Sequence, residues 1–301
     1  MDSILKKNSL SSSTNLPFRE VGGSTITFIG AGKVGTSLGI YFKEAGLDVR
    51  GYFSKSSESA EKASLLTDSM AYTDLKCLIN DSEIIWITTP DDAIESIARQ
   101  ISLLEINGQI TFVHASGLLT SDVLDCLKKK GHRVCSAHPL LSFSDLPKAV
   151  QALKRTYFFI EGDEDDLTEI KTIFEKTSNI HHTINKKDKP AYHAGAVVLS
   201  NYLVTLVHAS NQLFQLAGIN TSEIGNATNN LLESVLENLK NKTPKDALTG
   251  PIKRGDAETI KKHLEVLEQN LPELTELYKV MGKETMRMID MPSKSSMGDF
   301  W

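Results

Sequence analysis

The chain is poor in the features that mark secreted, membrane-bound and nucleic-acid-binding proteins. It has three cysteines in 301 residues, Cys77, Cys126 and Cys135. They are odd in number and form no C-x-x-C pair, which excludes a disulfide framework and fits a reducing, cytoplasmic setting. Excess positive charge is missing as well. The formal net charge is -5 with no basic stripe, so neither nucleic acid nor a membrane surface is expected as a partner. No apolar run approaches the length of a membrane span, and the opening M-D-S-I-L-K-K-N-S-L lacks the apolar core of a signal peptide. The histidines have no cysteine or carboxylate at a standard zinc spacing, so no metal site is expected. No internal repeat is present.

What is there is an ordinary globular composition, 40% hydrophobic and 24% charged, in a chain long enough for two cores. The organising stretch is T-I-T-F-I-G-A-G-K-V-G, Thr25 to Gly35. A strand-forming run enters Gly30, Gly32 and Gly35, and a helical pattern opens at Val34. This is G-x-G-x-x-G in the setting a dinucleotide site needs. Gly30 permits the tight turn, Gly32 admits a pyrophosphate to the backbone, and Gly35 lets helix and strand approach. The loop Gly30, Ala31, Gly32, Lys33, Val34 and Gly35 then holds the diphosphate at a helix N-terminus.

Strand two, D-V-R-G-Y-F, ends at Phe53. An NAD site places Asp or Glu shortly after such a strand to hold the ribose hydroxyls. Here Ser54, Lys55, Ser56 and Ser57 follow. Hydroxyls and a cation suit a 2′-phosphate, so NADP is favoured over NAD; a solvated loop is the plainer reading. The apolar strand E-I-I-W-I leaves Thr88, Thr89 and Pro90 at the ligand edge of the sheet, with Asp91 or Asp92 expected to cap the next helix. Two later strands, Q-I-T-F-V and R-V-C-S-A, end in His114-Ala115-Ser116-Gly117 and His138-Pro139-Leu140-Leu141. If both are parallel, two histidines emerge at that edge beside Ser116. His181 and His182 are adjacent, point to opposite faces of a strand and are read as structural.

From Lys187 the alternation gives way to helices. One helix, with Asp188 and Lys189 at its start and Pro190 near its first turn, is expected to run to Leu216, about 27 residues or roughly 40 Å. Apolar residues on almost every face imply burial. His193, Ser200 and Asn201 fall at i, i+7 and i+8, a polar face that needs partners. Further on, Gly250-Pro251 and Arg254-Gly255 read as turns, Asp256 as an N-cap, and Arg254 as either an anion-binding residue or an exposed cation. A final helix begins near Pro272.

Taken together, G-A-G-K-V-G, I-T-T-P-D-D, H-A-S-G, H-P-L-L-S-F, Y-H-A-G-A-V-V-L-S-N and L-T-G-P-I-K-R-G-D resemble one family. It comprises Rossmann-like proteins with a helical C-terminal domain of unknown function, described as NADP-dependent oxidoreductases. The layout is more distantly similar to pyrroline-5-carboxylate reductase, prephenate dehydrogenase and 6-phosphogluconate dehydrogenase. The resemblance implies a homodimer through the helical domain and a site between that domain and the sheet edge. His138 and His193 match positions that lie near substrate in prephenate dehydrogenases. Ala194 and Asn201 depart from that enzyme's Asp and His, so prephenate is not the expected substrate.

The expectation is therefore an α/β Rossmann-type doubly wound parallel sheet followed by an all-α dimerisation domain. The boundaries are an extension at 1–22, the dinucleotide domain at 23–186, the helical substrate and dimerisation domain at 187–288, and a tail at 289–301. The function implied is an NADP-dependent dehydrogenase or reductase acting on a small polar metabolite. NADP would lie along Gly30–Gly35, Ser54–Ser56, Thr88–Pro90 and His114. His193 is the proton-transfer residue, Asn201 orients substrate, His138 competes for the first role, and Ser116 sits beside them. The rival is a non-catalytic NADP-binding redox sensor.

Overall fold

The computed structural model of the protein describes residues 24–291 and Phe300. The chain divides into two compact units, one ending at Ala196 and the other beginning at Val197. The extension expected at 1–22 and most of the tail expected at 289–301 lie outside the described residues.

In the first unit strand and helix alternate: β1 (Ile26–Ile29), α1 (Lys33–Glu44), β2 (Val49–Phe53), α2 (Ser57–Thr67), β3 (Met70–Tyr72), α3 (Leu75–Asn80), β4 (Ile84–Ile87), α4 (Asp91–Ser102) and β5 (Thr111–His114). A 3-10 turn at Ser121–Leu124 leads to α5 (Asp125–Lys128), β6 (Arg133–Pro139), α6 (Leu146–Leu153), β7 (Phe158–Gly162), α7 (Glu164–Thr177), β8 (His181–Thr183) and the start of α8 (Lys189–Val197). The strands form one 8-stranded sheet in the order β3-β2-β1-β4-β5-β6-β7-β8. The reversal of direction from β1, with β2 on one side and β4 on the other, opens a crevice at the strand ends, where doubly wound sheets bind ligands. All pairings are parallel except β6 with β7.

Alternation along the central strands explains the two cores. Ile84 and Trp86 of β4 join Phe28 of β1 and Phe42 of α1 on one face. Ile85 and Ile87 join Phe112 of β5 and Ile94, Ala98 and Ile101 of α4 on the other. All are fully or almost fully buried, each such large side chain contributing roughly 1.5–3 kcal/mol before entropy is counted. Register then fixes the ligand edge. Ile29 pairs with Ile87, Ile87 with His114, and His114 with Ser136. β6 runs on past β5, and His138 pairs with Phe159 of the reversed β7 instead.

The second unit opens on π-helical turns at Val198–Tyr202, followed by α9 (Leu203–Leu216), α10 (Thr221–Lys240), α11 (Pro244–Ala247), α12 (Pro251–Arg254), α13 (Ala257–Asn270) and α14 (Pro272–Met288). One expectation is corrected here. The stretch to Leu216 is not one regular α-helix, and π turns, with their wider i→i+5 spacing, break the i, i+7, i+8 register that put His193, Ser200 and Asn201 on one face. Its apolar surface is left uncovered by the single chain: Leu199 is 74% exposed and Val204 70%. Asp256 does cap α13, accepting from the backbone N–H and the hydroxyl of Thr259.

Candidate active site

The glycine loop has the geometry its sequence calls for. Gly30 sits at φ +109, and a Cβ there would lie 2.8 Å from the Thr88 carbonyl carbon. At Gly35 a Cβ would meet the Gly30 carbonyl oxygen at 2.3 Å and Thr88 Oγ1 at 2.4 Å. Thr88 closes the joint by donating its hydroxyl to the Gly30 carbonyl at 2.8 Å. Gly32 differs: a Cβ there would meet nothing within 4 Å. It is the N-cap residue of α1, with no side-chain cap, so the first amides of the helix have neither a side-chain cap nor an intrahelical acceptor. Lys33 donates to the Ser144 carbonyl at 2.8 Å, tying the loop to the segment after β6.

Around it the other coenzyme candidates divide. Lys55 is exposed, and Ser56 is the N-cap of α2, accepting from the Ser59 N–H. Thr89 Oγ1 is buried without a hydrogen-bond partner, a polar atom left over at the ligand edge. Pro90, and neither aspartate, occupies the N-cap of α4. His114 is corrected. It is fully buried, its Nε2 bonds the Thr120 carbonyl at 3.2 Å, and its Nδ1 takes the Ser116 N–H. Burial, then the nearby Lys189 charge, push its pKa down to about 3. It is a neutral ring that shapes the turn after β5.

Ser116 is the centre of that turn. Its hydroxyl donates to Asp91 Oδ2 at 2.7 Å and accepts from the amides of Leu118 and Leu119. The hydroxyl is thus engaged in holding the loop to the start of α4. Its carbonyl accepts from Lys189 Nζ at 3.1 Å. Lys189 also donates to Ser136 Oγ and is 0% exposed. Burial pushes its pKa down to about 8, against the attraction of Glu161 and Asp91. Glu161, almost fully buried on β7, is held by the Ser121 N–H and hydroxyl, both at 2.7 Å.

The sequence places Lys189 at the start of its helix and gives it no role there. The one available signal is its spacing, one turn before His193 on α8. The structure brings His193 and His138 together with ring centroids 6.2 Å apart and planes nearly perpendicular. Gly117 fits between them: a Cβ there would lie 2.6 Å from His193 Nδ1 and 3.0 Å from His138 Nε2. His193 Nδ1 is buried with no partner. Burial, then Lys189 and His193, hold His138 down to about 4, and its Nδ1 meets the Tyr192 hydroxyl at 2.5 Å. Asn201 lies in the second unit, on the π turns, exposed and accepting from the Ser200 hydroxyl at 2.8 Å. Arg254 is exposed at the end of α12.

Two family models match successive parts of the chain. Residues 14–139 match the Rossmann-like domain, and residues 156–285 match the family described as Domain of unknown function (DUF2520). His138 falls in the first segment and Lys189, Tyr192 and His193 in the second, yet all four lie in one compact unit. Among curated proteins no sequence matches. Among solved structures, protein TM1727 from Thermotoga maritima is 29% identical, with a TM-score of 0.70 over 88% of this chain and 98% of that one. BF3122 from Bacteroides fragilis, assigned as an NADP oxidoreductase, is 21% identical, with a TM-score of 0.71 over 88% and 98%. A Plasmodium falciparum pyrroline carboxylate reductase with NADP bound is 16% identical, with a TM-score of 0.58 over 92% and 98%. No helix among the described residues is long and apolar enough to cross a membrane. The chain thus joins a segment that matches the Rossmann-like domain to one that matches the family described as Domain of unknown function (DUF2520).

Proposed function

We propose that the protein is an NADP-dependent oxidoreductase, a dehydrogenase or reductase of a small polar metabolite. The observation that carries this reading is the conjunction at one sheet edge of an open, uncapped helix N-terminus at Gly32 with the unpartnered Thr89 Oγ1 and His193 Nδ1. Buried polar atoms without partners are costly, and a bound coenzyme and substrate would relieve them. The amides of Lys33, Val34 and Gly35 would hold the diphosphate, and Ser54 and Lys55 the 2′-phosphate. Lys55 makes no ion pair among the described residues and is open to such a group. The coenzyme, when bound, supplies the hydride chemistry. The chain's own residues position the substrate and move a proton. His193 is the proton-transfer group, because its Nδ1 has no competing partner. Lys189 holds the Ser116–Gly117 turn against it. We further propose that a second copy of the chain covers the exposed apolar residues of the second unit, giving a homodimer.

Titration with both coenzymes tests the assignment of Lys55. Lys55→Ala should weaken NADPH by about 10–100-fold, the loss of one charge-assisted phosphate contact, and leave NADH within about twofold. Equal losses for the two coenzymes would remove the 2′-phosphate from this loop. Turnover is tested by NADPH oxidation against a panel of keto acids and imines. On whichever substrate the wild type reduces, His193→Ala should lower kcat by about 10²–10⁴-fold with NADPH affinity unchanged. Tight coenzyme binding with no turnover on any substrate would point to the sensor.

A further inference from the structure

His138 and Tyr192 form a pair whose geometry goes beyond placing both near Gly117. The phenol oxygen lies 2.5 Å from Nδ1, and the rings meet edge to face at 5.5 Å. Burial raises the phenol's pKa, so it stays protonated. The charges of Lys189 and His193 add to burial in keeping its imidazole neutral. A neutral imidazole has one N–H and one lone pair. The phenol proton has one acceptor among the described residues, Nδ1. If Nδ1 takes that proton's hydrogen bond, the ring's own proton must sit on Nε2, the nitrogen beside Gly117.

We propose that Tyr192 is a positioning residue that locks His138 into the Nε2–H tautomer. His138 then presents a fixed donor, never a base, to the notch beside Gly117. That leaves proton exchange to His193, whose Nδ1 approaches the same point to 2.6 Å. The two histidines therefore have different tasks: His138 grips the reducible group of the substrate and His193 transfers the proton. That division of tasks rests on the oxidoreductase reading, whereas the tautomer itself does not.

The test is a long-range proton–nitrogen NMR spectrum of the full-length protein carrying nitrogen-15 histidine, recorded at neutral pH, with His138 assigned by its loss in His138→Gln. The expected wild-type result is an unprotonated, hydrogen-bonded Nδ1 and a protonated Nε2. In Tyr192→Phe the Nδ1 resonance should move toward the position of a free lone pair and a second tautomer should become visible. A protonated Nδ1 in the wild type, or an Nδ1 that Tyr192→Phe does not move, overturns the proposal. Should Tyr192→Phe lack a cooperative thermal transition, the wild-type spectrum decides alone. A contact from the Tyr192 hydroxyl proton to an unprotonated Nδ1 supports the lock, and a protonated Nδ1 removes it. Failure to find any NADPH-dependent turnover would sink the oxidoreductase reading and leave this result standing.

Discussion

Lys189→Met will flatten a rise in stability that the wild-type protein shows between about pH 8 and about pH 10.4, the range separating a buried from a free lysine. Below that window the amine is charged in both folded and unfolded chains, and the folded state bears the cost of burying the charge. As pH climbs through about 8 the folded protein releases the proton while the unfolded chain retains it. Between the two values the unfolded chain binds more protons, so stability increases with pH. The gap corresponds to roughly 3 kcal/mol. Methionine removes the buried charge and with it this dependence, but it leaves the Ser116 carbonyl and the Ser136 hydroxyl without their donor, at about 1–3 kcal/mol. Near pH 7 the two effects offset each other, and the variant should melt close to the wild type. Near pH 10 only the lost hydrogen bonds remain, and it should be clearly weaker. Urea unfolding across this range, taken as wild type minus variant so that other groups cancel, should show the full rise. A level difference curve would mean that burial does not lower the pKa of this amine. Under the oxidoreductase reading the freed Ser116–Gly117 turn also lowers turnover by about 10²-fold, the usual consequence of misplacing a site by about 1 Å.

The sheet was legible because its signals are local. The run before Gly30, the both-face apolar Ile84–Ile87 and the strands ending at His114 and His138 are each set by a few consecutive residues. Their parallel register brought His138 to the ligand edge, as the sequence implied, and the helix after Lys187 brought His193 beside it. Short elements such as β3 and α3 went unread, since Met70–Tyr72 and Leu75–Asn80 are too brief to show a period. The π turns at Val198–Tyr202 were hidden for a different reason. V-V-L-S-N-Y-L-V is apolar enough to suit either spacing, and nothing in the residue types distinguishes them. The roles of Lys189, His114 and Ser116 could not be read at all. Burial of a single lysine is decided by loops that arrive from β5 and β6, and a hydroxyl's partners by a turn whose shape the residue names do not state. His114 and His138 look alike as strand-end histidines. What separates them is two residues of overhang on β6, which leaves one ring sealed by backbone and the other at the notch.

Gly32→Asp is expected to separate coenzyme binding from folding more cleanly than any other change in the loop. At Gly30 and Gly35 an added side chain collides with Thr88 or with the Gly30 carbonyl, so loss of binding there would be indistinguishable from damage to the fold. Gly32 has open space beside it, a φ of -79 and a ψ of -172, values any residue adopts. It is also the N-cap of α1 and supplies no side-chain acceptor. Aspartate is among the favoured N-cap residues, and its carboxylate would sit at the positive end of the helix dipole. Folding stability should therefore hold or increase by a few tenths of a kcal/mol. Coenzyme binding should collapse, because the carboxylate stands where the diphosphate must approach. A like charge at about 5 Å costs about 3 kcal/mol at an effective dielectric near 20, which is more than 100-fold in Kd. NADPH and NADH should lose affinity alike, unlike the selective loss expected of Lys55→Ala. A Gly32→Asp protein with an unchanged or raised Tm that still binds either coenzyme at wild-type strength would mean that the diphosphate does not rest on this helix, and the hydride chemistry proposed at its mouth would have no donor.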